Sequence, residues 1–317
     1  MAEDYPRTLM ELERRFSTDE ACAEYLAALR WPEGFRCPGC GGAKAWRTAR
    51  GLWACRDCRR HTSVTAGTIF GDSNLPLRLW FRAIWQVVTQ KNGASAMGLQ
   101  RVLGLGSYRT AWSLLHKLRR AMVRPDRERL CGTVEVDESY LGAPEPGKSG
   151  RQPGSKTLIV AAVECVGARQ LGRIRLRQVR AASAAELEGF IAEPVEPGST
   201  VVSDDWTGYR GLPAKGYGHH PTPMRVPPKA TEAVLPRVHL VFSLLKRWLL
   251  STHQGAVRHS HLDYYLDEFT FRFNRRTSAS RGKLFYRLLQ HAAELEPHPY
   301  RTLHGRKHVK PQPVAAT

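Results

Sequence analysis

Two short stretches constrain this chain more than anything else in it. TVEVDESYLG and STVVSDDWTGYRG each run β-branched residues straight into an aspartate, Asp137 in the first and Asp204 in the second. β-branched side chains suit a pleated, half-buried surface, so each stretch reads as a buried strand that ends in an acidic group. Strands of this kind bring carboxylates from distant sequence positions together. Such carboxylates are hard oxygen ligands for Mg²⁺ or Mn²⁺, and two such ions about 3.5–4 Å apart clamp an in-line phosphoryl displacement. The plainer account makes Asp137, Glu138, Asp204 and Asp205 turn residues at strand ends. It covers either position singly. It explains less well why both continue into an aromatic residue and a glycine, Tyr140 to Gly142 and Trp206 to Gly208. Adjacent side chains alternate across a strand, so Glu138 and Asp205 are expected to point away from the two aspartates.

Around these strands the pattern is mixed α/β. TVEVDESYL, TLIVAAVECVG, RIRLRQV and TVVSDD read as four strands, AAELEGFIAEPV as a helix, and residues 234–253 and 259–275 as two long helices. Four strands and a helix followed by further helices, with aspartates ending the first and fourth strands, is the ribonuclease H-like order. In such a sheet those two strands lie side by side at the centre. Five segments are expected: an N-terminal helical segment 1–36, a metal ribbon 37–70, a helical segment 71–127, the α/β unit 128–290 and a basic, unstructured tail 291–317.

Cys37-x-x-Cys40 and Cys55-x-x-Cys58 form two knuckles separated by residues 41–54. This spacing supplies four thiolates to a tetrahedral Zn²⁺, with a hairpin between the knuckles carrying Trp46 and Trp53. The other three of the seven cysteines, Cys22, Cys131 and Cys165, show no pairing pattern. No secretion signal is evident, so reduced thiols are expected rather than a disulfide framework. Redox chemistry is the alternative for one Cys-x-x-Cys, but not for two in so short a segment.

Lys and Arg number 48 against 29 Asp and Glu, a formal net charge of +19. A polyanion is the leading explanation, and nucleic acid the usual one. A membrane surface competes, but no apolar run reaches about 18 residues, and a cytosolic, nucleoid-associated location is expected. ASAMGLQRVLG and GSYRTAWSLLHKLRRAM, separated by a glycine-containing turn, have helix-turn-helix proportions. Arg109, Lys117, Arg119 and Arg120 on the second helix are candidates for DNA contact; an ordinary amphipathic helix with a solvated basic face is the alternative. The cysteines leave open whether the ribbon meets DNA or another protein chain, and Arg56 and Arg59 beside the second knuckle favour DNA. Arg275 and Arg276 either meet DNA backbone or cap their own helix.

A third metal ligand is expected from a helix after the last strand. His239, Ser243 and Lys246 lie at i, i+4 and i+7 on one polar stripe of PRVHLVFSLLKRWLLSTHQG. A basic side chain such as Lys246 is well placed there to hold a phosphate. Glu268, in YLDEFTFRFNRR, is the other candidate ligand, and it could equally form an ion pair with Arg272.

RWPEGFRCPGC, CRDCRRHTSVTAGTIF, VEVDESYLG, SDDWTGY, HLVFSLLKRWLLSTHQGAV and HLDYYLDEFTFRFNRR together resemble the bacterial insertion-sequence transposases of the DDE class that carry an N-terminal zinc ribbon. The resemblance spans residues 31 to about 276. It implies a ribonuclease H-like core, catalytic Mg²⁺ or Mn²⁺ beside the structural Zn²⁺, and double-stranded DNA as partner, both the inverted-repeat ends and the target, in a homo-oligomer assembled on DNA. It further implies hydrolysis at the element's ends and joining of the freed 3′-hydroxyl to target DNA, with Asp137, Asp204 and His239 as metal ligands. His239 occupies the position of the third acidic residue, so the site is either Asp-Asp-His or takes its ligand from Glu268. Two other readings stay open: a zinc-ribbon DNA-binding regulator with an inactive core, and a nuclease with no joining step.

Overall fold

The structure is a computed structural model and describes residues 3–124, 126–142, 156–167, 170–222 and 235–303. The chain divides into two compact units, Met1–Pro125 with Ser278–Thr317, and Asp126–Thr277. Among the described residues no helix is long and apolar enough to cross a membrane.

The first unit opens with α1 (Leu9–Arg15) and α2 (Asp19–Arg30), the latter capped by the Thr18 hydroxyl, which accepts from Ala21 N at 3.2 Å. A three-stranded antiparallel ribbon follows, β1 (Ala45–Arg47), β2 (Trp53–Cys55) and β3 (His61–Thr62). Then come α3 (Leu77–Thr89), α4 (Ala96–Leu103) and α5 (Tyr108–Ala121). Gly104 ends α4 in the left-handed conformation at φ 64°, which only glycine takes without strain, and so makes the expected turn before α5.

The second unit is built on a five-stranded mixed sheet in the order β6-β5-β4-β7-β8: β4 (Thr133–Leu141), β5 (Thr157–Val166), β6 (Gln170–Val179), β7 (Thr200–Asp204) and β8 (Gly218–Thr222). β4, β5 and β6 form an antiparallel meander, and β7 joins β4 in parallel after α6 (Ala184–Ala192). The two aspartate-bearing strands are neighbours at the centre, as the ribonuclease H-like order requires. The fifth strand was not foreseen: GHHPT has no β-branched run, and it is strand because β7 offers it a parallel edge, Thr200↔Gly218 through Asp204↔Thr222. Val134, Val136, Val160 and Ala162 pack with Leu187, Phe190 and Ile191 of α6 in one core.

After the sheet come α7 (Pro236–His253) and α8 (Leu262–Asn274). α8 seals the edge of β6. Asp263 accepts from Gln178 N at 3.1 Å, and Asn274 accepts from Ile174 N at 2.7 Å while donating to Ile174 O at 3.1 Å. An exposed edge is thereby closed to other chains.

The unit ends earlier than expected. α9 (Arg281–Glu294) belongs to the first unit, where Phe285 packs edge-on against Phe81 at 5.6 Å and Trp85 at 5.9 Å. An amphipathic pattern states that a helix buries one face, not which partner covers it. The first part of the expected tail is also ordered, with a short helix α10 (Tyr300–Leu303) whose Leu303 is buried. Residues 304–317 lie outside the described residues.

Candidate active site and metal centres

The register of the central strands positions the carboxylates. β7 pairs with β4 at Thr133↔Thr200, Val134↔Val201 and Glu135↔Val202. Two further steps in the same register would set Asp137 opposite Asp204. One carboxylate oxygen from each of Asp137, Glu138 and Asp204 lies within 4.8 Å of the other two. Asp204 is 8% exposed and accepts from Trp206 N at 3.2 Å; the Trp206 indole in turn donates to Ala182 O at 2.7 Å, pinning the loop behind the strand. Asp205 is exposed and outside the cluster.

Glu138 departs from expectation. Its side chain leaves β4 on the face opposite Asp137, as alternation requires, and there Oε2 accepts from the Tyr209 hydroxyl at 2.6 Å. Alternation sets only the direction of Cβ. One oxygen of the Glu138 carboxylate is still within 4.8 Å of an oxygen of each aspartate. Burial and the adjacent Glu138 carboxylate hold the Tyr209 phenol well above its ordinary range, so it stays a donor.

Glu135, Asp137 and Ser139, alternate side chains of β4, meet α7. Glu135 accepts from the backbone N–H groups of Arg237 and Val238 at 2.8 and 2.9 Å and from Arg237 Nη1 at 2.8 Å. Asp137 Oδ2 accepts from His239 Nε2 at 3.1 Å, and Ser139 Oγ accepts from Lys246 Nζ at 2.9 Å. The hydrogen bond to Asp137 raises the His239 pKa against the effect of partial burial. Burial lowers that of Lys246, and the Asp137 charge works the other way. Ser243 spends its hydroxyl on His239 O at 3.0 Å. His239 thus touches Asp137 but is not in the carboxylate cluster. Glu268 is fully buried in α8, with Oε1 3.7 Å from Arg272 Nε, and lies outside the cluster. α8 flanks β6, and β5 intervenes between β6 and β4, so the fold does not bring Glu268 to the aspartates.

Three convergent carboxylates are an all-oxygen donor set, which suits a hard divalent ion. The ribbon cysteines suit a different metal. Cys37 and Cys58 Sγ are 3.5 Å apart, Cys40 and Cys55 Sγ 3.6 Å, and all four lie within 4.8 Å of one another. Four thiolates at Zn–S bonds of about 2.3 Å sit about 3.8 Å apart in a tetrahedron, whereas a disulfide needs about 2.05 Å. Burial opposes ionisation of Cys37, but the amides of Gly39 and Cys40 and the neighbouring thiols outweigh it and bring the thiol down to about 7. Phe35 stacks on Trp53 at 5.3 Å and Trp31 meets both rings, a small apolar floor beneath the metal site.

Comparison with known proteins agrees with this arrangement. Residues 129–274 match the ISXO2-like transposase domain, and residues 17–61 match the transposase zinc-ribbon domain. The chain belongs to the insertion-sequence transposases. An uncharacterized protein in transposable element ISH50 of Halobacterium salinarum is 27% identical over 214 residues, covering 63% of this chain and 71% of the relative. A cryo-EM structure of the simian T-cell lymphotropic virus intasome in complex with PP2A regulatory subunit B56 gamma aligns over 59% of this chain and 70% of that one. Its 14% identity and TM-score of 0.32 are too low to bear on the fold.

The candidate DNA-contacting residues of this transposase fall into three groups. Arg56 and Arg59 are exposed on the ribbon, Arg59 over the Trp46 ring at 5.6 Å, and Arg109 is exposed at the start of α5, 5.0 Å from the Tyr300 ring. Lys117, Arg119 and Arg120 are 7%, 1% and 6% exposed, a correction to their expected place on a groove-facing surface. Lys117 donates to Ile69 O at 3.3 Å, and Arg119 Nη1 meets His116 Nδ1 at 3.3 Å. α5 also buries Leu114, Leu115 and Leu118, so apolar contacts surround it on nearly every side and the basic heads are carried inward with their stems. Arg275 lies over Phe271 at 4.2 Å, and Arg276 donates to the backbone oxygens of Leu171, Gly172 and Phe273. Arg275 thus packs along α8, and Arg276, though exposed, is tied to the backbone of α8 and β6.

Proposed function

We propose that this transposase cleaves phosphodiester bonds at the inverted-repeat ends of its element and joins the freed 3′-hydroxyl to target DNA. The observation that carries the reading is the convergence of Asp137, in the middle of β4, with Asp204, at the end of the neighbouring β7, within the matched transposase domain. These two carboxylates would hold Mg²⁺ or Mn²⁺. A divalent ion bound there supplies Lewis-acid polarisation of a phosphoryl oxygen and acidifies a bound water. Lys246, held by Ser139 on the same face as Asp137, meets a DNA phosphate as a point charge. His239 orients the Asp137 carboxylate through its hydrogen bond. Arg56, Arg59 and Arg109 meet the backbone of the element's ends, which fixes register without reading sequence. A homo-oligomer on DNA would bring two ends together.

Joining on a labelled end oligonucleotide tests this. Asp137→Ala and Asp204→Ala should each abolish joined product while gel-shift binding of the end survives. Full joining by both variants refutes the reading. Cleavage without joined product in the wild type would make the protein a nuclease, and end binding with neither product a regulator.

A further inference from the structure

We propose that the cavity beyond Lys246, on the face of the sheet that carries Asp137, holds an unstacked nucleobase of the DNA whose phosphate Lys246 meets. The inference rests on the reading of that face as a site of DNA cleavage and joining, and adds a base-binding pocket to it.

Three observations converge on this cavity. Its volume is about 540 Å³, within the usual range for sites that take a small ligand, and it lies wholly in the sheet unit. Leu141 of β4 and Thr157 of β5 line it from the sheet, Leu249 and Leu250 from α7, and Leu262 from the start of α8, with Lys246 beside them. Leucine walls offer nothing to a phosphate. A nucleobase is the part of DNA with apolar faces, and enzymes that act on extruded bases hold them between apolar or aromatic side chains.

The second observation is an orphaned polar group in the cavity wall. Thr157 is 6% exposed, and its hydroxyl has no hydrogen-bond partner among the described residues. A buried hydroxyl without a partner costs stability, and a fold that keeps one calls for a partner from outside the chain. The edge of a base supplies it, because base edges carry donors and acceptors and a hydroxyl can serve either. One rotamer step about χ1 is enough to change where the hydroxyl points.

The third is position. Leu141 pairs with Thr157 in the β4–β5 register, so both stand on the face that carries Asp137 and Ser139. Leu141 follows Asp137 by four residues, about 13 Å along the strand, and Ser139, which accepts from Lys246, stands half-way. The reacting phosphate at Asp137, a neighbouring phosphate at Lys246 and a base beyond it therefore fall in line on one face.

Fluorescence of 2-aminopurine, which brightens on leaving the base stack, tests this on the full-length, zinc-loaded protein. The probe is placed singly at each position beside the cleavage point of an end duplex and, in a second set, beside the joining point of a target duplex. Emission should rise several-fold at one position, and the duplex that responds is the source of the base. Thr157→Val should leave Tm unchanged or higher, because the hydroxyl has no partner to lose, yet weaken joining about 2- to 10-fold. Leu250→Ser, at a side chain 66% exposed, should keep the fold and weaken joining about 5-fold or more. Both variants should also lower the rise in emission. An abasic nucleotide at the responding position should erase the difference between the wild type and both variants, which a merely structural role of either side chain would not do. No rise at any position, a rise unchanged in both variants, or a difference that survives the abasic nucleotide overturns the inference and leaves the reading of cleavage and joining intact. Failure of the wild type to join ends is a different result, which refutes that reading, and the emission then still decides the pocket.

Discussion

Glu135 is the residue whose loss should reveal how the catalytic face is held together. It stands two positions before Asp137 on the same face of β4 and is 4% exposed. The N-terminus of α7 has no cap of its own, since Leu235 has φ 53° and supplies no side-chain acceptor. Glu135 fills that role from another element by accepting two amides of the first turn, and it adds an ion pair to Arg237 at 2.8 Å. Glu135→Ala leaves the Arg237 guanidinium, 17% exposed, without its carboxylate. Breaking a buried pair from one side costs about 3–5 kcal/mol, and a lost cap about 0.5–2 kcal/mol. The residual exposure of Arg237 argues for the lower end, so a total of about 4 kcal/mol is expected. For a unit of this size each kcal/mol lowers Tm by about 2–4 °C, which predicts a fall of about 10 °C in the calorimetric transition of the sheet unit. Glu135→Gln retains an acceptor oxygen and should lose about half as much. α7 also carries His239 and Lys246, whereas Asp137, Glu138 and Asp204 belong to β4 and β7. Joining activity should therefore fall more steeply than Mn²⁺ affinity. A Tm shift under about 2 °C in Glu135→Ala would refute the argument that β4 anchors α7 through this side chain.

Four other outcomes are expected. Burial works against the Glu164 carboxylate, yet Arg173 and the amides of Cys131 and Arg173 hold it down to about 2 from an ordinary 4.5. Its contribution is therefore complete above pH 4.5 and lost as pH falls through about 2, so the Tm gap between wild type and Glu164→Gln should narrow across that window; a constant gap contradicts it. Removing zinc with a strong chelator should unfold the ribbon, seen as a change in tryptophan emission from Trp53, with Cys55→Ser behaving alike; an unchanged spectrum after zinc release would count against a structural metal. Arg119→Ala should cost about 3 kcal/mol of stability through lost packing of a fully buried side chain and leave the salt dependence of end binding unchanged. Arg56→Ala with Arg59→Ala should instead lower the slope of log affinity against log salt by about 2 and leave Tm within a degree or so. The reverse assignment would restore α5 as the DNA-facing helix.

Much of this molecule was legible in its sequence, because the features concerned are local or have short, fixed spacing. The four cysteines carry their own geometry in two Cys-x-x-Cys pairs, and the hairpin between them follows from the spacing. β-branched runs ending in Asp137 and Asp204 announced two central strands, and the polar stripe of His239, Ser243 and Lys246 announced the face of α7 that meets β4. Tertiary structure decided what depends on partners remote in sequence. Helical periodicity could not tell that α9 packs with α3, that the basic residues of α5 are buried, or that Glu268 sits in the helix that closes the β6 edge, away from the aspartates. β8 exists because β7 gives it an edge. Glu138 was set aside by the alternation rule, which is a rule about Cβ vectors. Where its carboxylate comes to rest is fixed by the Tyr209 hydroxyl, 71 residues further along the chain, and a pattern read along the sequence has no term for a hydrogen bond of that reach.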